Sequence, residues 1–364
     1  MESGDNSTSR VPAQVTPQQF KPSNLLDDNT RHMFELVVYV FLSSILGVLG
    51  VFGNVVNIII FYRQGLNNTV NISFTGLAIS DLSSLVTLLW FDVCVNPLFA
   101  YSGIPMVTSE VQHLSGGWPR ACFARITTWI TVYITAERCL CIASPLKVKK
   151  IITPKRTTVI LCSIYIFTIL PLIPEYSTAY LSWQWDDNFN TTVLRLGFTP
   201  NRHEMEGLTS LVYFIYVLLS YFSVVLLTGI LVYKLKQKTK WRQESTFDNL
   251  QSEKLSNRDR KTISMVIVIA SVLIACCALP VGLYIVGFVI QGFGVIGEYS
   301  NFFFVTWSFA FLTEAFNATI NTVLYYKMSS KYKEKFNELF SCCFNLRMSG
   351  NVDKIDEYRD SKYR

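Results

Sequence analysis

Seven runs of predominantly apolar residues divide the chain, at roughly 34–62, 71–96, 118–142, 157–180, 208–234, 262–290 and 299–326. A bilayer's hydrocarbon core takes about 20 apolar residues per helix, so each run predicts one membrane-spanning helix. The third run opens on "GGWPRACFAR", where Pro119 suits a first helical turn. The fourth carries Pro171 and Pro174 near its outer end, so that helix is expected to kink or stop there. The fold class predicted is an all-α membrane protein, a seven-transmembrane helix bundle.

Composition agrees with this pattern. Half of the 364 residues are hydrophobic and 16% are charged, where a soluble chain carries about 25%. The opening "MESGDNSTSR" is polar and no small-residue cleavage site follows an apolar core, so the first run is read as an uncleaved anchor. The net charge of +6 raises a nucleic-acid partner, but its placement removes that reading. Lys and Arg crowd the segments after the first, third, fifth and seventh runs, with 25 on that side against 6 on the other. Cytoplasmic loops carry that excess, so the N-terminus is expected outside and the C-terminus in the cytoplasm. Sequons at Asn6 and Asn190 then fall outside and are the glycosylation candidates. The polar segments 1–33 and 176–207 contain no cysteine, so no extracellular disulfide is expected.

Polar residues inside the runs are costly and are therefore functional candidates. They are Asn54 in run one, Asp81 in run two, Thr127 and the pair Glu137-Arg138 in run three, and Glu314, Asn317, Asn321 and Tyr325 in run seven. Pro280 predicts a kink in run six. Thr127 lies 11 residues before Arg138, about three turns, so the two share a face. Amides and hydroxyls of Asn54, Thr127, Asn317 and Asn321 converging on Asp81 make a buried polar node. Such a node is either a packing device or a seat for a small cation such as sodium.

These residues carry a resemblance. Gly53-Asn54, the "LAISDL" of Leu77–Leu82, Glu137-Arg138-Cys139, Pro145-Leu146 and Asn321–Tyr325 stand in the order and spacing of signatures of the rhodopsin-like G-protein-coupled receptors, over roughly residues 34 to 344. The chain looks most similar to molluscan chemosensory receptors, with a neuropeptide receptor as the rival. The resemblance implies a receptor, not an enzyme, that binds an extracellular small-molecule or peptide ligand and activates a heterotrimeric G protein, with arrestin as a further partner and no cofactor. Glu137, Arg138, Pro145, Leu146, Pro280, Asn321 and Tyr325 would serve coupling, Tyr325 swinging inward on activation. "SKYKEKFNELFSCC" looks like the family's amphipathic eighth helix, with Cys342 and Cys343 as palmitoylation candidates or plain reduced thiols. The organisation expected is an extracellular tail over 1–33, the bundle over 34–326, the eighth helix and lipidation site over 327–344, and a cytoplasmic tail over 345–364, all at the plasma membrane. Departures are Ala278 in place of the usual tryptophan, Thr322 in place of proline, and the missing loop disulfide.

Arg120 lies 18 residues before Arg138, five turns, and Glu314 lies seven before Asn321, so both are expected to face inward near the outer mouth. They bind opposite ends of a zwitterionic or peptidic ligand, or they form a structural ion pair, or Arg120 snorkels to the interface. Ala124 and Trp307 complete the pocket candidates. Arg125 falls about 220° from Arg138 on an ideal helix and is ranked below Arg120. A channel or transporter, the competing class, needs internal repeats or a polar path, and neither is visible.

Overall fold

The computed structural model describes residues 26–187, 190–244 and 257–341. Seven long helices run through them: α1 (Asp28–Arg63), α2 (Thr69–Val95), α3 (Thr108–Ala143), α4 (Pro154–Thr178), α5 (Arg202–Glu244), α6 (Asn257–Val289) and α7 (Ser300–Met328). The first six contain stretches long and apolar enough to cross a membrane. The 29 residues of α7 are also long enough, but Glu314, Asn317 and Asn321 make it more polar. Residues 330–341 form a further helix, and Pro145–Ile151 a short one.

Local sequence sets the boundaries. Asn68 caps α2 by accepting from the Val70 amide, and Thr153 caps α4 ahead of Pro154 in the first turn. Pro171 turns α4 into a 3-10 stretch over Leu170–Leu172 before it ends at Thr178. The helix expected from Trp118 begins ten residues earlier, because a π-helical stretch over His113–Gly117 leads into Pro119 without breaking the rod. Gly116 belongs there: a Cβ would stand 3.2 Å from Trp90 and 3.4 Å from the Thr87 carbonyl, so its bareness lets α3 close on α2. The 43 residues of α5 make a rod of about 65 Å, longer than a bilayer, so its lysine-rich end projects beyond it.

Packing places α3 at the centre. In its apolar window 61% of residues are buried, against 22% for α4 and 28% for α5. Ile126, Ile130 and Ile134 of α3 join Leu77 of α2, Leu161 of α4 and Leu231 of α5 in the main core. Large apolar side chains such as Phe52, Val159, Phe167, Phe222 and Leu226 stay exposed on the outside of the bundle. In water they would be an aggregation hazard; against lipid tails they are at home.

One element was not expected. Within the polar segment 176–207, β1 (Ala179–Asp186) and β2 (Thr191–Phe198) form an antiparallel hairpin with Trp183 opposite Leu194. It is pinned to the start of α3. The Arg195 guanidinium meets Glu110 at 2.7 Å and Asp186 at 3.1 Å, and the Leu196 amide donates to the other Glu110 oxygen at 2.9 Å. A backbone bond from Val107 to the Leu194 carbonyl, 3.0 Å, adds to the seam. Arg195→Ala is expected to speed amide hydrogen exchange across β1 and β2 while the melting temperature of the bundle stays put, since the clamp sits at the solvent edge. Equal exchange in wild type and variant would show the backbone seam to be sufficient.

Candidate functional site

The inward polar residues form three layers along α3, from its C-terminal end to its N-terminal end. At the C-terminal end, Arg138 pairs with its neighbour Glu137 at 2.7 Å, and the same Glu137 oxygen accepts from Thr69 at 2.8 Å. Both members of the pair are buried. Tyr325 is also buried, packed on Phe61, Phe74 and Tyr332 with ring centroids 5.0, 5.1 and 5.6 Å away. The Tyr325 hydroxyl and the second Glu137 oxygen have no hydrogen-bond partner. Buried donors and acceptors are normally satisfied, so these two atoms stand out from the rest of the bundle. Pro145 and Leu146 open the short helix that follows α3.

The middle layer is centred on Asp81. Thr127 donates to one carboxylate oxygen at 2.7 Å and Asn321 to the other at 2.8 Å, while Ser80 bonds Thr127 at 2.9 Å. Asn317 does not bond Asp81; it lines a small cavity with Asp81, Ser84, Ala124, Arg125, Thr127 and Glu314. Asn54 also departs from expectation. Its amide donates to the Gly50 and Ala318 carbonyls, both at 2.9 Å, so it ties α1 to α7 without touching Asp81. Asn57, unremarked in the sequence, extends the network by donating to Asn54 at 3.2 Å and to Thr322 at 3.0 Å, and by accepting from Tyr332 at 2.6 Å. Thr322 thus uses a hydroxyl where a proline would offer none. Gly53 permits that approach, since a Cβ there would lie 2.5 Å from the Thr322 oxygen.

The layer toward the N-terminal end of α3 is an ion cluster. Arg120 reaches one oxygen of Glu314 at 2.5 Å, and Arg125 reaches the other at 2.7 Å. Arg120 also lies over the Phe311 ring, 3.4 Å from its centroid. Trp307 packs edge-on against Tyr284 at 5.0 Å in the same region. Arg125, expected on another face than Arg120, reaches the same carboxylate. Angular arithmetic assumes one buried face, but α3 is surrounded, so a long guanidinium finds the interior from a second face. Trp183 and Trp185 are not in this cluster; they stand exposed on β1.

Above the cluster, the fully buried Glu175 of α4 bonds Arg202 of α5 at 2.7 Å and His113 of α3 at 3.2 Å. No disulfide joins the described cysteines. The links between the hairpin region and the helices are therefore ionic and hydrogen-bonded where the resemblance would place a disulfide. Asn190 is exposed in the hairpin turn. Asn6, Cys342 and Cys343 lie outside the described residues.

The family model described as "Serpentine type 7TM GPCR chemoreceptor Srw" matches residues 41–343. Similar proteins include galanin receptor 2a of Danio rerio, 22% identical over 88% of this chain and 83% of its own length. The FMRFamide receptor of Drosophila melanogaster is 22% identical over 93% of this chain and 59% of its own length. Galanin receptor 2b of Danio rerio is 21% identical over 86% and 77%. A seven-helix membrane bundle with polar layers strung along its central helix, matched over most of its length by one family, belongs to that family: the chain is a member of the serpentine Srw chemoreceptors among the seven-transmembrane G-protein-coupled receptors.

Proposed function

We propose that the protein sits in the plasma membrane with its N-terminus outside, binds an extracellular chemical ligand at the Arg120–Arg125–Glu314 layer, and activates a heterotrimeric G protein through Arg138. The carrying observation is that one central helix holds a buried ion cluster toward its N-terminal end and a buried Glu137–Arg138 pair toward its C-terminal end. Ligand contact at the first layer changes the relative stability of two helix arrangements, and the second layer reads out which is populated. In the closed arrangement Glu137 holds Arg138. In the open one Arg138 turns to the G protein, and the unpartnered Tyr325 hydroxyl gains a bond inside the bundle. This is a receptor's machinery and not an enzyme's. Arrestin is a further partner of the same cytoplasmic face, and Asn6, Asn190, Cys342 and Cys343 are the modification sites of the two faces.

The chemosensory reading is preferred because the matching family is one of chemoreceptors. A neuropeptide ligand is the second reading, favoured by relatives named for galanin and FMRFamide. A reporter assay with a promiscuous G protein, run against small organic compounds and peptides side by side, separates them. A response to peptides alone favours the second. A ligand-gated current in membranes lacking G protein would overturn both.

Asp81 has the oxygen donors to hold sodium: its own carboxylate with Ser84, Thr127 and Asn317 around one cavity. A bound cation there would neutralise the buried carboxylate and favour the closed arrangement. Sodium chloride is expected to raise the melting temperature of wild type above its value in potassium chloride at equal ionic strength, and Asp81→Asn to abolish the difference. No difference in wild type would leave Asp81 as a packing node.

A further inference from the structure

Pro280 lies inside α6 and has no N–H to give. The carbonyl four residues earlier belongs to Cys276, so that turn of the helix leaves it without its ordinary donor. Cys276 is buried, and water is not at hand to replace the missing bond. The Thr313 hydroxyl of α7 lies 3.0 Å from that carbonyl and points at it as a donor. The same hydroxyl lies 2.8 Å from the Ala310 carbonyl of its own helix. A hydroxyl has one proton, so the two carbonyls compete for it. Ala310 can draw on the ladder of α7, whereas Cys276 has lost its partner to proline.

We propose that Thr313 is the positioning residue of the α6 kink: its hydroxyl stands in for the absent proline N–H, holds α6 against α7 in the closed arrangement, and transmits displacement of the adjacent Glu314 to α6. The chain of contact is short. Glu314, next in sequence, is gripped by Arg120 and Arg125 of α3. A ligand that shifts either guanidinium moves Glu314, turns that part of α7, and passes the Thr313 proton from Cys276 to Ala310. The freed kink then lets the cytoplasmic half of α6 swing. Ala278, two residues before Pro280, has no side chain large enough to act as a lever there, and the hydroxyl bond supplies a polar link instead. The proposal rests on the G-protein reading for its output but not for its geometry.

The test uses the full-length receptor in nanodiscs. Thr313→Val keeps the shape and removes the donor; Thr313→Ser keeps the donor. Spin labels on unnatural amino acids at the exposed positions Leu140 and Lys261 report the separation of the cytoplasmic ends of α3 and α6. Thr313→Val is expected to shift that distribution outward and to raise basal nucleotide exchange on the G protein several-fold, with Thr313→Ser like wild type. In a Pro280→Ala background, where α6 regains its own N–H, Thr313→Val is expected to add nothing. An unchanged distribution in Thr313→Val, or the same increment in both backgrounds, overturns the proposal. Thr313→Ala replaces Thr313→Val if the latter does not fold. If the distances move as expected while no form of the protein, wild type included, promotes nucleotide exchange, the helix coupling stands and the G-protein reading falls.

Discussion

Replacing Glu314 with glutamine is expected to destabilise the bundle by about 3–5 kcal/mol, the range seen when one partner of a buried ion pair is removed. The reason is stoichiometric. One carboxylate faces two guanidiniums, with side chains 11%, 6% and 4% exposed for Glu314, Arg120 and Arg125. Glutamine fills the space but leaves two buried cations with a single neutral acceptor. Arg125→Gln, by contrast, leaves the Arg120–Glu314 pair in place, so its effect on stability is expected to be much smaller. Thermal melting of the purified variants in one detergent measures the contrast. If Glu314→Gln and Arg125→Gln melt alike, the cluster is not held by its carboxylate.

Arg138→Ala is expected to remove ligand-driven nucleotide exchange at unchanged surface expression. The pair it belongs to is adjacent in sequence within α3. Alanine suits a helix interior. Glu137 keeps its bond from Thr69. The buried Glu137 carboxylate loses its cation, so some stability is expected to go as well, and signalling is compared per receptor at the surface. Surface labelling alongside a nucleotide-exchange assay with purified G protein distinguishes the two. Wild-type exchange by Arg138→Ala would sink the assignment of Arg138 as the output residue.

What could be read from the sequence follows from how local each feature is. The apolar runs set the helices, and spacing within a helix aligned Thr127 with Arg138 and brought Glu314 to the same depth as Arg120, because helical periodicity is a short-range rule. Features joined across long separations were hidden. Glu110 and Arg195 are 85 residues apart and belong to no shared period, so nothing local announces their bridge or the hairpin it anchors. Asn54 bonds backbone instead of Asp81, because an amide can be satisfied equally by a carbonyl, here that of Ala318. The place of Arg125 was hidden for the opposite reason: its angle on the helix is legible, but the sequence does not say that α3 has neighbours on every side. Thr313 gave no signal at all, since a threonine in an apolar helix usually bonds its own preceding turn.

Charges tie the hairpin and the neighbouring helix ends together among the described residues. Arg195 grips Glu110 and Asp186, and Glu175 joins Arg202 to His113. Such a rim is indifferent to the redox state of its surroundings, so thiol reductants would leave it intact. The exposed Arg195 clamp answers instead to dissolved salt, which screens such pairs over about 10 Å at 0.1 M, whereas the fully buried Glu175 is screened far less. With the orientation proposed above, the ionic strength of the outside medium becomes part of how firmly the Arg195 clamp is held.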